Sequence, residues 1–290
     1  MNKIIEIGNG DRHLVPFFLE FTKTIFSWAN FSDWHLHGYW PAEYIPHSII
    51  RNGKIASNVS VTKMDLILNG KRGKGIQIGT VGTIPEERNK GLSRILMDHV
   101  IKKYENEADI FFLFANDTVL KFYPKFGFSR KFETLYISEK SVVPAKGKLK
   151  KLNWKNPGDL EIIEKTLKNR SPLTSIFGAE NYHPISLWHV INEYPDDLYF
   201  CEELDIILIF YVKDEQIQLI DLAYTNKPDL EKLVSYIYNT SAAESICFHF
   251  PPDITDFDYD REVVGENTML FVKGEFEPQE GFKFPVTSQT

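Results

Sequence analysis

The chain has 290 residues, 43% hydrophobic and 25% charged, with a net charge of −7 and a pI near 5.7. That length permits two cores of ordinary size, and the acidic balance excludes a protein whose main task is gripping phosphate backbones, which requires a basic face. Only Cys201 and Cys247 are present, too few for a disulfide framework. The longest apolar run, Ile206 to Val212, falls far short of the roughly 20 residues of a membrane span. Glu6 interrupts the short apolar run at the start, so no secretory signal is expected there. These features point to a cytoplasmic protein, monomeric or homo-oligomeric, with neither nucleic acid nor membrane as a partner.

In chain order, residues 11–28 place Leu14, Phe17, Phe18, Phe21, Ile25 and Trp28 at helical spacing, which predicts a helix with one buried aromatic stripe. A Trp- and His-rich stretch follows. Residues 55–68 then alternate through Ile55, Ser57, Val59 and Val61 as a strand, Asn69-Gly70 supplies a hairpin turn, and 75–84 return as the partner strand. Pro85 stops that strand, and Leu92, Leu96, Val100 and Tyr104 share one face of the next helix. Residues 110–115 are continuously apolar, as a strand covered on both faces would be. A short helix over 117–123, a turn at Gly127 and a strand over 132–137 complete the first unit. The Lys-, Pro- and Gly-bearing stretch 141–158 predicts a linker.

Beyond it the pattern predicts helices at 159–168 and 184–193. Strands at 206–213 and 216–223 are joined by Asp214-Glu215, a helix opens on Pro228, and strands close the chain at 245–250 and 268–273. The order echoes the first half, so the expected division is 1–140, a linker 141–158, and 159–290, all of α/β class with mixed sheets.

Two segments carry chemistry. Val81-Gly-Thr-Ile-Pro-Glu-Glu-Arg-Asn-Lys-Gly-Leu-Ser93 sets a basic, Gly-containing loop between a strand and a helix start, where free N–H groups and the helix dipole can hold a diphosphate without a metal. Gly91 permits close approach of the backbone, Arg88 and Lys90 add positive charge, and Ser93 offers a hydroxyl. Standing alone, this loop reads equally well as a turn with solvated charges. A second segment, Phe114-Ala-Asn-Asp-Thr-Val-Leu-Lys-Phe-Tyr-Pro-Lys-Phe-Gly-Phe128, puts Asn116 at a strand end and Tyr123 after it. Asn116 can contact a cofactor or cap the next helix.

Together the two segments resemble the cofactor-binding motifs of the GNAT superfamily of N-acetyltransferases, namely Pro-x-x-Arg-x-x-Gly-x-(Gly/Ala) and Asn…(Phe/Tyr)-Tyr-x-x-x-Gly-Phe. Residues 53–97 are similar to the Eis-type branch, whose members carry an extra GNAT-like domain. Ser93 stands where the family has Gly or Ala. The resemblance covers about the first 140 residues and implies a GNAT acyl-CoA N-acyltransferase fold in tandem units, the second degenerate. It further implies acetyl-CoA as cosubstrate, with no metal, and an amine acceptor on a small molecule or peptide. By the same resemblance, Val81 and Thr83 would pair with the pantetheine arm, Arg88, Asn89, Lys90, Gly91, Leu92 and Ser93 would hold the diphosphate, and Asn116 would contact the cofactor. Tyr123 would be the general acid for the departing thiolate, its ordinary pKa near 10 suiting a neutral donor. The alternative function is a non-catalytic CoA-binding sensor of the same fold.

Other groups are weaker. Glu43, Asp33, His35 and His37 lie where the acceptor cleft should be bordered, and none stands out as the base. His35, His37 and His47 lack a carboxylate or Cys at a familiar ligand spacing. Trp34, Tyr39, Trp40 and Tyr44 either wall the acceptor pocket or pack under the first helix. Asp253, Asp256, Asp258 and Asp260 read as a solvated acidic loop. The loop Tyr224 to Leu230 occupies the second phosphate-loop position but lacks Gly and carries Asp229, so no CoA is expected there.

Overall fold

The computed structural model describes residues 3–139, 145–241, 243–253, 257–264, 269–279 and 281–290. The first part of the chain forms β1 (Ile4–Glu6), α1 (Val15–Ile25), α2 (Phe31–Leu36), β2 (Tyr44–Arg51), β3 (Lys54–Leu68), β4 (Lys71–Thr83), α3 (Leu92–Tyr104), β5 (Ile110–Phe114), β6 (Ser129–Arg130) and β7 (Thr134–Ser138). The remainder forms β8 (Leu149–Lys151), α4 (Pro157–Lys168), β9 (Phe177–Glu180), α5 (His183–Asn192), β10 (Leu198–Cys201), β11 (Ile206–Lys213), β12 (Gln216–Ala223), α6 (Leu230–Tyr238), β13 (Ser245–Phe248), β14 (Arg261–Val264) and β15 (Leu270–Gly274).

The turns between hairpin strands follow from backbone preference. Asn69 and Gly70 have φ of 50° and 75°, and Asp214 and Glu215 have φ of 50° and 60°. Both residues of each pair are thus left-handed, the turn that matches the twist of a two-residue hairpin. Each hairpin then leads through a helix to a strand parallel to its second arm. β4 runs parallel to β5 after α3, and β12 runs parallel to β13 after α6. The echo between the halves is therefore a repeated hairpin–helix–strand unit.

The strands assemble into two mixed sheets. The first has the order β1-β2-β3-β4-β5-β15-β6, with β9 also on β3, and the second the order β14-β7-β13-β12-β11-β10-β8. The halves exchange strands. β15, late in the chain, lies beside β5 in the first sheet, while β7, from before residue 140, lies beside β13 in the second. A division at 140 therefore does not follow the sheets. Nor are residues 145–158 a free linker, since β8 pairs with β10 and the Asn156 side chain caps α4; residues 140–144 lie outside those described.

β3 is buried on both faces over Ile55–Thr62, because α3 covers one side and α1 packs on the other. Its polar residues there are consequently satisfied inside the protein, as buried polar groups must be. Ser48 donates to Asn58 Oδ1 at 2.7 Å, and Asn58 Nδ2 reaches Ser60 Oγ at 3.0 Å and the Thr80 carbonyl at 2.9 Å. Three expectations shift. The segment 117–123 forms not one helix but 3-10 turns at Asp117–Val119 and Tyr123–Phe126, because Pro124, with no N–H to donate, sits in the first turn of a new element instead of continuing the first. Pro228 precedes α6 instead of opening it, and Asp229 is the cap, accepting from Lys232 N. The Trp- and His-rich stretch contains α2 and β2.

Candidate active site

β3 and β4 fall out of register between Asn58 and Ser60. Asn58 faces Gly82 and Ser60 faces Gly79, so Thr80 and Val81 have no partner on β3. This is a bulge on β4, and Thr80 adopts φ of 48° to make it. Two side chains hold it: Asn58 binds the Thr80 carbonyl, and the Tyr44 hydroxyl lies 2.6 Å from Thr80 Oγ1. On the other side, β4 pairs with β5 only as far as Ile78 and Leu113. Past that point the two parallel strands separate, and the edge of residues 79–83 is left open.

A cavity of about 850 Å³ fills the separation, lined by that edge, by Phe114 and Asn116 after β5, and by Tyr123. The volume is of the size that holds a cofactor-sized ligand. At one end stand Arg88, Asn89 and Ser93. Gly91 takes φ of 75° as the residue before α3, and a Cβ there would meet nothing within 4 Å. The mouth is thus open, and the first-turn N–H groups of α3 lack intrahelical acceptors. A hydroxyl chain fixes the loop to the strand: Ser57 Oγ to Thr83 Oγ1 at 2.8 Å, and Thr83 Oγ1 to Ser93 Oγ at 2.7 Å. Arg88 Nε donates to the Thr83 carbonyl at 3.2 Å. These features fit a nucleotide diphosphate bearing an extended arm.

The residues expected from the sequence are only partly brought together. Val81, Thr83, Arg88, Asn89, Ser93, Asn116 and Tyr123 line the cavity. Lys90 does not; its ammonium pairs with Glu87 at 3.2 Å, which in turn holds Arg51 at 2.6 Å. The Leu92 side chain is buried in the core under α3, leaving only its backbone to the mouth. Asn116 caps the following turn, accepting from Thr118 N at 2.8 Å, while also facing the cavity. Tyr123 is buried against Phe122, Phe128 and Phe271, and burial pushes its phenol up to about 12. Among the described residues its hydroxyl has no hydrogen-bond partner.

Of the two roles the sequence allows Trp34, Trp40 and Tyr44, packing in the core is the one observed. Trp34 and Trp40 stack on each other and pack with Phe18 and Tyr44 in the core. Glu43, Asp33, His35 and His37 do not line the cavity. Tyr39 is tied to Glu164. Asp253 instead binds Ser175, and Asp260 binds Ser138 and Glu139 N; Asp256 lies outside the described residues. The opposite cavity wall comes from Ile25, Phe26, Trp28, Ala29 and Phe31, with Trp188 reaching over from α5. Trp28 and Trp188 meet edge to face at 5.8 Å. Among the described residues, no Asp or Glu side chain lines this cavity.

Thr290 also lines it, although nothing local in the sequence marks that position. Its backbone N and Oγ1 are held by Gln77 Oε1, and the Gln289 carbonyl lies 2.8 Å from His189 Nε2. A Cβ on Gly79 would come within 2.7 Å of the Thr290 backbone, so glycine is what lets residue 290 approach the bulge.

Residues 36–130, from the last residue of α2 through β6, match the family model of the acetyltransferase (GNAT) domain. The whole chain shares its fold with structures of that class. It superposes on a conserved Enterococcus faecalis V583 protein of unknown function, called "Probable N-Acyltransferase", with TM-score 0.63 and 14% identity over 94% of this chain and 72% of that one. It is similar to Eis1 from Mycobacterium abscessus with TM-score 0.57 and 13% identity over 94% and 73%. A GCN5-related N-acetyltransferase from Anabaena variabilis gives TM-score 0.58 and 14% identity over 93% and 72%. The sequence has no significant match among curated proteins.

Proposed function

We propose that this chain is an N-acetyltransferase that moves an acetyl group from acetyl-CoA to a primary amine by direct attack. The observation that carries the reading is the cavity that joins an open strand edge, Arg88, Asn89 and Ser93 around the start of α3, and a buried tyrosine. Acetyl-CoA supplies an acyl carbon already activated as a thioester. Arg88 and the first N–H groups of α3 hold the diphosphate, since a helix N-terminus favours an anion. The open edge at Val81 and Thr83 pairs with the extended arm, which sets the reacting carbon beside the bulge at Thr80–Val81. Backbone N–H along this edge stabilises the charge that develops on the acyl oxygen. Tyr123, protonated at any working pH because burial raises it, donates to the sulfur as the thiolate departs, and the proton shed by the attacking amine passes through water to restore the phenol. The second unit contributes Trp188 to the wall and no second cofactor site: Asp229 already fills the start of α6 with its own carboxylate.

The wall opposite the strand edge suggests the acceptor. Trp28, Phe31 and Trp188 offer aromatic faces, whereas among the described residues a polycation would find no carboxylate side chain there. An amine carried on an apolar or aromatic body suits this wall better than a polyamine or aminoglycoside. Thiol release from acetyl-CoA, followed with panels of arylalkyl amines, polyamines and aminoglycosides, tests both parts. Release with the arylalkyl amines supports them; release only with the polycations refutes the acceptor class. Saturable acetyl-CoA binding with no release across all panels would favour the sensor reading instead.

A further inference from the structure

A second constellation lies at the far end of α3, outside the cavity and independent of the acetyl-transfer reading. Glu6 and His47 face each other across the β1–β2 ladder, so their side chains share one face of the sheet. His99 comes from α3, which packs over that face, and its ring centroid is 5.4 Å from that of His47. One donor atom from each of the three side chains lies within 4.8 Å of the other two. Sequence spacing hides this set, because its members sit at positions 6, 47 and 99 on three separate elements.

Two nitrogens in it are orphaned. His47 Nδ1 and His99 Nε2 are buried with no hydrogen-bond partner among the described residues, an arrangement that costs free energy unless something else pairs them. His47 is wholly buried, and its other nitrogen, Nε2, lies 3.1 Å from the Tyr104 hydroxyl. When Nε2 carries the proton and donates it to Tyr104, Nδ1 is left as a free lone pair. An outer hydrogen bond of this kind orients a ligating imidazole.

We propose that Glu6, His47 and His99 form a binding site for a divalent transition metal, with zinc the best chemical match. Two imidazoles and one carboxylate are a familiar zinc set, and Glu6, exposed at the rim, leaves a fourth position for water. The metal fastens the C-terminal half of α3 to β1 and β2. One group competes with it. Lys103, one turn beyond His99 on the same helix face, pairs with Glu6, and a dication must displace that ammonium.

The competition makes the test specific. The full-length protein, with any purification tag removed and treated with chelator, is titrated with zinc chloride by calorimetry and with cobalt(II) by visible absorption. One equivalent of zinc is expected, with cobalt bands of a four- or five-coordinate site. Glu6→Gln and His99→Gln should each weaken zinc at least roughly tenfold, since even outer-sphere losses have effects of that size. Lys103→Met should tighten it. Glu6 and Lys103 are at the surface, so these two variants keep the fold even if His99→Gln does not. Absence of stoichiometric uptake, or uptake that none of the three variants changes, overturns the proposal.

Discussion

Replacing Tyr123 with Phe separates a chemical role from a structural one. The substitution removes one oxygen and keeps the ring among Phe122, Phe128 and Phe271. Because the hydroxyl has no partner among the described residues, no hydrogen bond is lost. Removal of a cavity-facing hydroxyl that no protein group pairs is neutral or stabilises by up to about 1 kcal/mol. The folded protein should therefore melt at or slightly above the wild-type temperature. Acetyl-CoA affinity, set by the loop and the strand edge, should stay within about twofold on the same reasoning, since the phenol touches only the reacting end. Turnover should fall by roughly 10² to 10⁴, the usual contribution of a positioned proton donor. The assay is steady-state thiol release with saturating amine, together with calorimetry of acetyl-CoA. The wild-type rate should also show no loss from ionisation of this phenol below about pH 10, because burial holds its pKa up to about 12. A turnover number within twofold of wild type in Tyr123→Phe would show that the hydroxyl takes no part in the chemistry.

Gly91→Val should destabilise the fold by about 1 to 2 kcal/mol through its left-handed backbone, without a clash. It should also weaken acetyl-CoA at least roughly tenfold, by losing one charge-assisted contact; calorimetry giving an unaltered Kd would remove the diphosphate role. Gly79→Ala sets a methyl against the Thr290 backbone and should cost about 1 to 3 kcal/mol by overpacking, with lower turnover; unchanged melting and kinetics would mean that residue 290 does not rest there. Burial depresses His189 and His249 to about 4, so folding is disfavoured when they must charge. Their contribution is complete above pH 6.5 and lost as pH falls towards 4, roughly 3 kcal/mol for each. Denaturant midpoints at pH 7, 5.5 and 4.5 should fall steadily; a flat series contradicts this.

Much of the fold is legible because its signals are local. The turns at Asn69-Gly70 and Asp214-Glu215 depend on backbone preference within two residues, and α3 on apolar spacing within thirteen. The loop before α3 and the segment around Tyr123 are legible as motifs for the same reason. What the sequence hides is relational. Nothing near Leu270 says that β15 belongs beside β5, nor anything near Thr134 that β7 belongs to the other sheet, because antiparallel partners are chosen by the whole topology. Trp28 continues the aromatic stripe of α1 in sequence, yet it lies beyond the helix end and is 64% exposed at the cavity rim. Trp188 and Thr290 reach the site from α5 and from the last residues, far along the chain from Tyr123, and the set at positions 6, 47 and 99 is equally scattered. Trp34 and Trp40, which look like pocket walls, are core because α1 and β2 close over them.

The account rests on where the cofactor lies, and a crystal structure of the acetyl-CoA complex tests that most directly. The diphosphate should accept from backbone N–H at residues 91–93 and from Arg88, the arm should run along Val81 and Thr83, and the sulfur should sit within hydrogen-bond reach of the Tyr123 hydroxyl. Acetyl-CoA bound elsewhere, or a cavity closed by Trp28 and Trp188 with the ligand excluded, would contradict it.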